Sequence, residues 1–141
     1  MGQGKITYAG VGGAVAGLIG LLGVFLNWWE SGDTGFQGTS DVSGTFGLAM
    51  AIATFAFGGA YLLMSDPRVR RSMGALMTLA AVLLTLAAVW GVTRADQVAA
   101  DASAAAGLWI SGIGGILGIG AGFLAMRDAQ TMDAAGRGVG A

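Results

Sequence analysis

Few residues in this chain are able to do chemistry. Three acids, Glu30, Asp33 and Asp41, stand close enough together to hold a Ca²⁺ ion with loop carbonyls. Their spacing matches no dedicated calcium loop, so a solvated acidic loop is the plainer reading. Four hydroxyls, Thr54, Thr78, Thr85 and Ser111, lie inside long apolar runs. In such runs hydroxyls bond back to their own helix or bridge to a neighbour, and a structural role is expected of these four. The chain has no His, no Cys and one Lys, Lys5, so no serine has a base beside it and nucleophilic catalysis lacks its parts. The same inventory excludes disulfides, zinc sites, iron–sulfur clusters and His-ligated haem. The sequence therefore reads as a non-enzyme, with no catalytic residue, no cofactor and no metal.

The elements that carry these residues follow from composition. Of 141 residues, 55% are apolar and 11% charged, where an ordinary soluble domain is about 25% charged. Mean hydropathy is +0.71. That excludes a conventional water-soluble globule. A net charge of −1 leaves no electrostatic footprint for nucleic acid, so the implied partner is lipid.

Four long windows separate the charged residues: Ile6–Trp29, Val42–Ser65, Ser72–Thr93 and Ala102–Met126. A helix of about 24 residues reaches about 36 Å, enough to cross a hydrocarbon core of about 30 Å with some tilt. The first window is not expected to be a cleavable leader, because it is too long and ends in the bulky Leu26-Asn27-Trp28-Trp29. The expected fold is an all-α integral membrane protein: one domain, an antiparallel up-down bundle of four transmembrane helices over residues 6–29, 42–65, 67–93 and 102–126. A cytoplasmic tail, 127–141, follows.

Charge sets the expected orientation. Lys5, Arg68, Arg70, Arg71, Arg127 and Arg137 fall on one side of these spans, and only Arg94 on the other. Both termini are accordingly expected in the cytoplasm, with the protein in the plasma membrane. Trp28, Trp29, Trp90 and Trp109 all fall toward the outer side, where an aromatic belt of interfacial anchors is expected and a ligand-binding aromatic cluster is the alternative. Arg68, Arg70 and Arg71 are expected to snorkel to headgroups as ordinary anchors.

The connections are short. Asp66 as N-cap with Pro67 at the first helical position starts span 3, and Asp101-Ala102-Ser103 offers a similar cap for span 4. The Glu30–Asp41 loop, with its glycines and single aromatic, predicts turns or a short hairpin.

Glycine makes up 27 of the 141 residues, or 19%, against about 7% on average. Gly114, Gly118 and Gly122 form one stripe in span 4; Ser103, Gly107, Ser111 and Gly115 form a second; Ala9, Gly13 and Gly17 repeat the device in span 1. Small residues four apart let helices approach closely in lipid. Either spans 1 and 4 pack on each other inside one protomer, or one stripe of span 4 faces another protein. Spans 2 and 3, richer in Ala, Leu, Val, Phe and Met, read as lipid-facing or more loosely packed. Phe46, Phe55, Phe57 and Tyr61 read as packing groups. No ionisable residue lies within the windows, which disfavours a proton relay of the exporter or rotary-ring kind.

Phe25-Leu26-Asn27-Trp28-Trp29, Ser40-Asp41-Val42-Ser43-Gly44-Thr45-Phe46-Gly47 and Gly107-Leu108-Trp109-Ile110 together resemble small four-span membrane proteins of actinobacterial type. The resemblance implies a four-helix topology with a structured first outer loop, and no activity. A tryptophan beside outer loop 1 is also similar to claudin-type tetraspans, without the cysteine pair of that loop. The expected function is an accessory or structural subunit that assembles with a larger membrane complex, or with copies of itself, through the Gly-rich helices. The alternatives are an oligomeric channel or small-molecule or lipid transport protein, and an outer-face recognition module built on Trp28, Trp29 and the acidic loop.

Overall fold

The computed structural model describes residues 2–32, 34–38, 41–98 and 102–140, with side chains described from Tyr8 to Arg127. Four long helices dominate it: α1 (Gly2–Phe25), α2 (Val42–Leu63), α3 (Pro67–Thr93) and α5 (Ala106–Gly140). All four are long and apolar enough to cross a membrane. A short α4 (Ala95–Val98) follows α3, and three short strands, β1 (Asn27–Ser31), β2 (Thr34–Gln37) and β3 (Ser103–Ala104), form an antiparallel sheet of order β2-β1-β3.

Local chemistry fixes the helix ends. The Asp66 carboxylate accepts from Arg68 N–H at 2.9 Å with Pro67 in the first turn of α3, as expected from the sequence. That proline also pushes the preceding residue out of the helical region, consistent with α2 ending at Leu63. Asp41 caps α2 in the same way, accepting from Ser43 N–H at 3.2 Å. Several expected boundaries move: α1 begins at Gly2, α2 ends at Leu63 rather than 65, α5 continues to Gly140 through the stretch expected as a tail, and two further shifts have a local cause. The first helix stops at Phe25 rather than continuing to residue 29, because Asn27–Ser31 pair as a strand with β2. The last helix begins at Ala106 rather than 102: Ser103 belongs to β3, and Asp101 lies outside the described residues. The hairpin expected between residues 30 and 41 is present as β1–β2, and Gly32, at φ +62°, turns the chain in the left-handed region that glycine tolerates.

α1 and α3 each pack against both α2 and α5, which closes the four long helices into a ring. The pairing order is legible at the glycines. Going up α1, Gly10, Gly13, Gly17 and Gly20 meet Tyr61, Gly58, Phe55 and Ala51 of α2 in turn, so rising numbers meet falling ones. On the α5 side, Gly12, Gly20 and Gly23 meet Ala121, Gly114 and Ser111. α3 follows suit, with Gly74, Thr78, Thr85 and Ala88 opposite Ala125, Gly122, Gly115 and Gly112. α3 is therefore no loosely held helix. Its face of Ala80, Ala81, Leu84, Ala87 and Ala88 is buried, and two threonines of α3 sit against α5 glycines where small size permits a close approach.

The molecule is apolar on its outside. Leu18, Leu22, Ile52, Phe55, Leu79, Leu86, Ile113, Ile116 and Phe123 all expose large side chains along the helices. The interior combines many small residues with a few large ones, Trp28, Trp29, Tyr61, Met77, Leu84 and Leu108, and its polar groups are satisfied: among the described residues no buried side-chain nitrogen or oxygen lacks a hydrogen-bond partner. Thr54, Thr78 and Thr85 donate to the carbonyls four residues back, at 2.8, 2.8 and 2.9 Å.

Candidate functional site

The features that stand out gather at the sheet end of the bundle. Trp28 and Trp29 are adjacent in β1, where simple alternation would send one inward and one outward. Both are instead wholly buried. A bulge is the reason: Asn27 pairs with Gln37 and Trp29 with Phe36, so Trp28 is an extra residue in the ladder. The rings meet edge to face, with centroids 5.4 Å apart and planes at 64°.

Trp28 plugs the bundle. A Cβ on Gly38, Gly47 or Gly91 would lie 3.0, 3.1 or 2.9 Å from its indole, so three glycines from three segments shape its slot. Its Nε1–H donates to Ser111 Oγ at 3.2 Å, and Ser111 in turn donates to the Gly20 carbonyl at 3.1 Å. Strand, α5 and α1 are thus joined by one hydrogen-bonded chain. Trp29 Nε1–H donates to the Gly91 carbonyl near the end of α3 at 2.8 Å. The two tryptophans expected as interfacial anchors are therefore interior groups whose N–H donors satisfy buried acceptors. Trp90 and Trp109, by contrast, are exposed.

Beside this plug, Arg94 and Asp41 form a two-pronged ion pair, Nη2 to Oδ1 at 2.7 Å and Nε to Oδ2 at 3.0 Å. Asp41 is the N-cap of α2 and Arg94 the C-cap of α3, so the pair clasps the two helices at the sheet end. The Arg94 guanidinium, with help from Ser43, holds the Asp41 carboxyl well below the usual carboxylate range, and Asp41 raises Arg94 in return. A depressed folded-state value stabilises the fold above the ordinary carboxylate pKa, about 3.9, and that contribution is lost as pH falls through the folded value. Thermal unfolding scans below about pH 5 should accordingly show a steeper loss of stability on acidification for the native chain than for Asp41→Asn. Parallel slopes would refute the role of the pair.

The eight small residues singled out in the sequence all lie buried at contacts within the chain. Gly13 faces the Met77 side chain of α3 and Gly58 of α2, and Gly17 faces Phe55 of α2, backbone included; Gly107, Ser111 and Gly114 face α1; Gly115 and Gly122 face Thr85 and Thr78 of α3; and Gly118 meets Ala81, Thr54 and Ala16. Both stripes of span 4 are thus occupied inside the protomer, apart from Ser103, which is in β3. At the opposite end, Arg68 and Arg71 are exposed. Arg70 turns back instead, its Nε donating to the Met64 carbonyl and its guanidinium lying 5.5 Å from the centre of the Tyr61 ring.

Among the described residues, apolar depressions on the outside include one of about 460 Å³ between α1 and α5 and one of about 180 Å³ between α3 and α5. Sequence reasoning missed the Asp41–Arg94 clasp and β3. Its usable signal was that the lone basic residue among the outer loops and an acid beginning span 2 lie on the same predicted side. No protein-family model, curated protein or solved structure matches the chain.

Proposed function

We propose that this chain is a non-catalytic integral membrane protein of the plasma membrane. Its four long helices cross as an antiparallel up-down bundle with both termini cytoplasmic, and it serves as an accessory or structural subunit of a larger membrane assembly. One observation supports this most: glycines, alanines and satisfied hydroxyls line the contacts between the long helices, while large apolar side chains cover their outside. That is the inverse of a soluble helical protein, and it leaves the helices held by close contact. The buried placement of both span 4 stripes moves the contact with other subunits to two remaining surfaces, the bulky outer faces of the helices and the sheet end. Threonines bonded to their own helices argue against a hydroxyl-lined path through one bundle.

Extraction of native membranes in a mild detergent, followed by native sizing and identification of co-purifying proteins, tests the proposal. The expected result is migration well above a lone 14.0 kDa protomer, with defined partners. A bare monomer under every mild condition would overturn the subunit role. Recovery of the folded, untagged chain from the soluble fraction without detergent would overturn the membrane reading itself.

A further inference from the structure

We propose that the outward face of α3 binds an anionic phospholipid, with the phosphate between Arg68 and Arg71. The two arginines are exposed and three residues apart, so they share one face of the helix, with Cβ atoms about 5–6 Å apart. The same face continues through Ala75, Leu79 and Leu86, all exposed, with Leu79 at 55%. A pair of cations therefore heads an uninterrupted apolar strip, the pattern of a lipid headgroup above its chains.

The charges call for such a partner. Both arginines sit in the first turns of a helix, where the macrodipole disfavours cations, and like charges at this spacing repel. Helix stability does not explain them. Asp66, two residues before Arg68, caps the helix by accepting from Arg68 N–H, and Arg70 is turned toward Met64 and Tyr61. A phosphodiester from the surrounding leaflet would neutralise the pair where no described side chain does so.

This inference rests on the membrane reading, and its test separates the two. The purified full chain is reconstituted into phosphatidylcholine vesicles, and its association with spin-labelled phosphatidylglycerol is compared with that of spin-labelled phosphatidylcholine. The native chain should favour phosphatidylglycerol. With roughly a 5-fold contribution per arginine near the surface, Arg68→Gln and Arg71→Gln should each lower the preference about 5-fold, and the double variant should remove it. Near-native melting of either single variant in phosphatidylcholine alone shows that the fold is intact. Equal association of both lipids with the native chain, or an unchanged preference in the variants, would overturn the lipid site while leaving the membrane reading in place. Failure of the chain to enter vesicles at all would instead count against the membrane reading.

Discussion

Trp28→Ala should be the most damaging single truncation in the molecule, lowering stability by about 3–5 kcal/mol, the range for large aromatic deletions in well-packed interiors. The indole fills a slot formed by Gly38, Gly47 and Gly91 and packs on Trp29, Val24 and Leu108, so its removal leaves a large void at the centre of that cluster. It also severs the chain of donors from Trp28 through Ser111 to Gly20 that links the strand to two helices. Trp28→Phe retains most of the volume and loses the N–H donor, with an expected cost of about 1 kcal/mol. Trp109→Ala, at an exposed position, should stay within about 0.5 kcal/mol, as surface changes do. Thermal unfolding of the three variants in one detergent orders them. An alanine at 28 no worse than one at 109 would show that the sheet is not docked on the helices.

The second large effect separates two neighbours in sequence. A Cβ at Gly58 would lie 2.5 Å from Ala14 N and 2.9 Å from Gly13 C, both backbone atoms of α1, whereas at Gly59 it would meet nothing within 4 Å. Backbone cannot step aside without parting the helices, so Gly58→Ala should destabilise by about 1–3 kcal/mol or more. Gly59→Ala meets no obstacle and gains the helix preference of alanine, about 0.5–1 kcal/mol. Gly114→Ala and Gly120→Ala repeat the contrast on α5, where the first Cβ would sit 2.7 Å from Gly20 N and the second has open space. Unfolding midpoints that move in opposite directions within each pair are expected. Equal shifts would mean that α1 does not approach α2 and α5 so closely.

The helices were legible because charges mark their ends. Asp66-Pro67 announced the start of α3, and the acid that caps α2 stood at the edge of its apolar run. Trp28 and Trp29 were misread for a physical reason. Hydropathy scores apolar content and not backbone geometry, so a buried strand that continues an apolar helix looks like more helix until its pairing partner is known. The bulge that turns both rings inward depends on Gln37 and Phe36, across the hairpin. The glycines told that close packing would occur and placed part of it between α1 and α5. They did not tell that Thr78 and Thr85 of α3 complete the other side of α5, since a threonine alone carries no spacing signal. The Asp41–Arg94 clasp joins positions 53 residues apart, and only the stacking of one helix start beside another helix end brings them together.

The route by which α1 meets α5 has a consequence for how the chain is made. Trp28 and Ser111 are separated by 83 residues, and at about 5–20 residues per second a ribosome needs roughly 4–17 s to cover that stretch. Within that interval α2 follows and can cover one side of the first helix, yet the other glycine-bearing flank stays bare until the last helix emerges. Biogenesis therefore includes a waiting state with an open seam, the stage at which a nascent copy is most vulnerable to mispairing with a neighbour or to quality-control proteolysis.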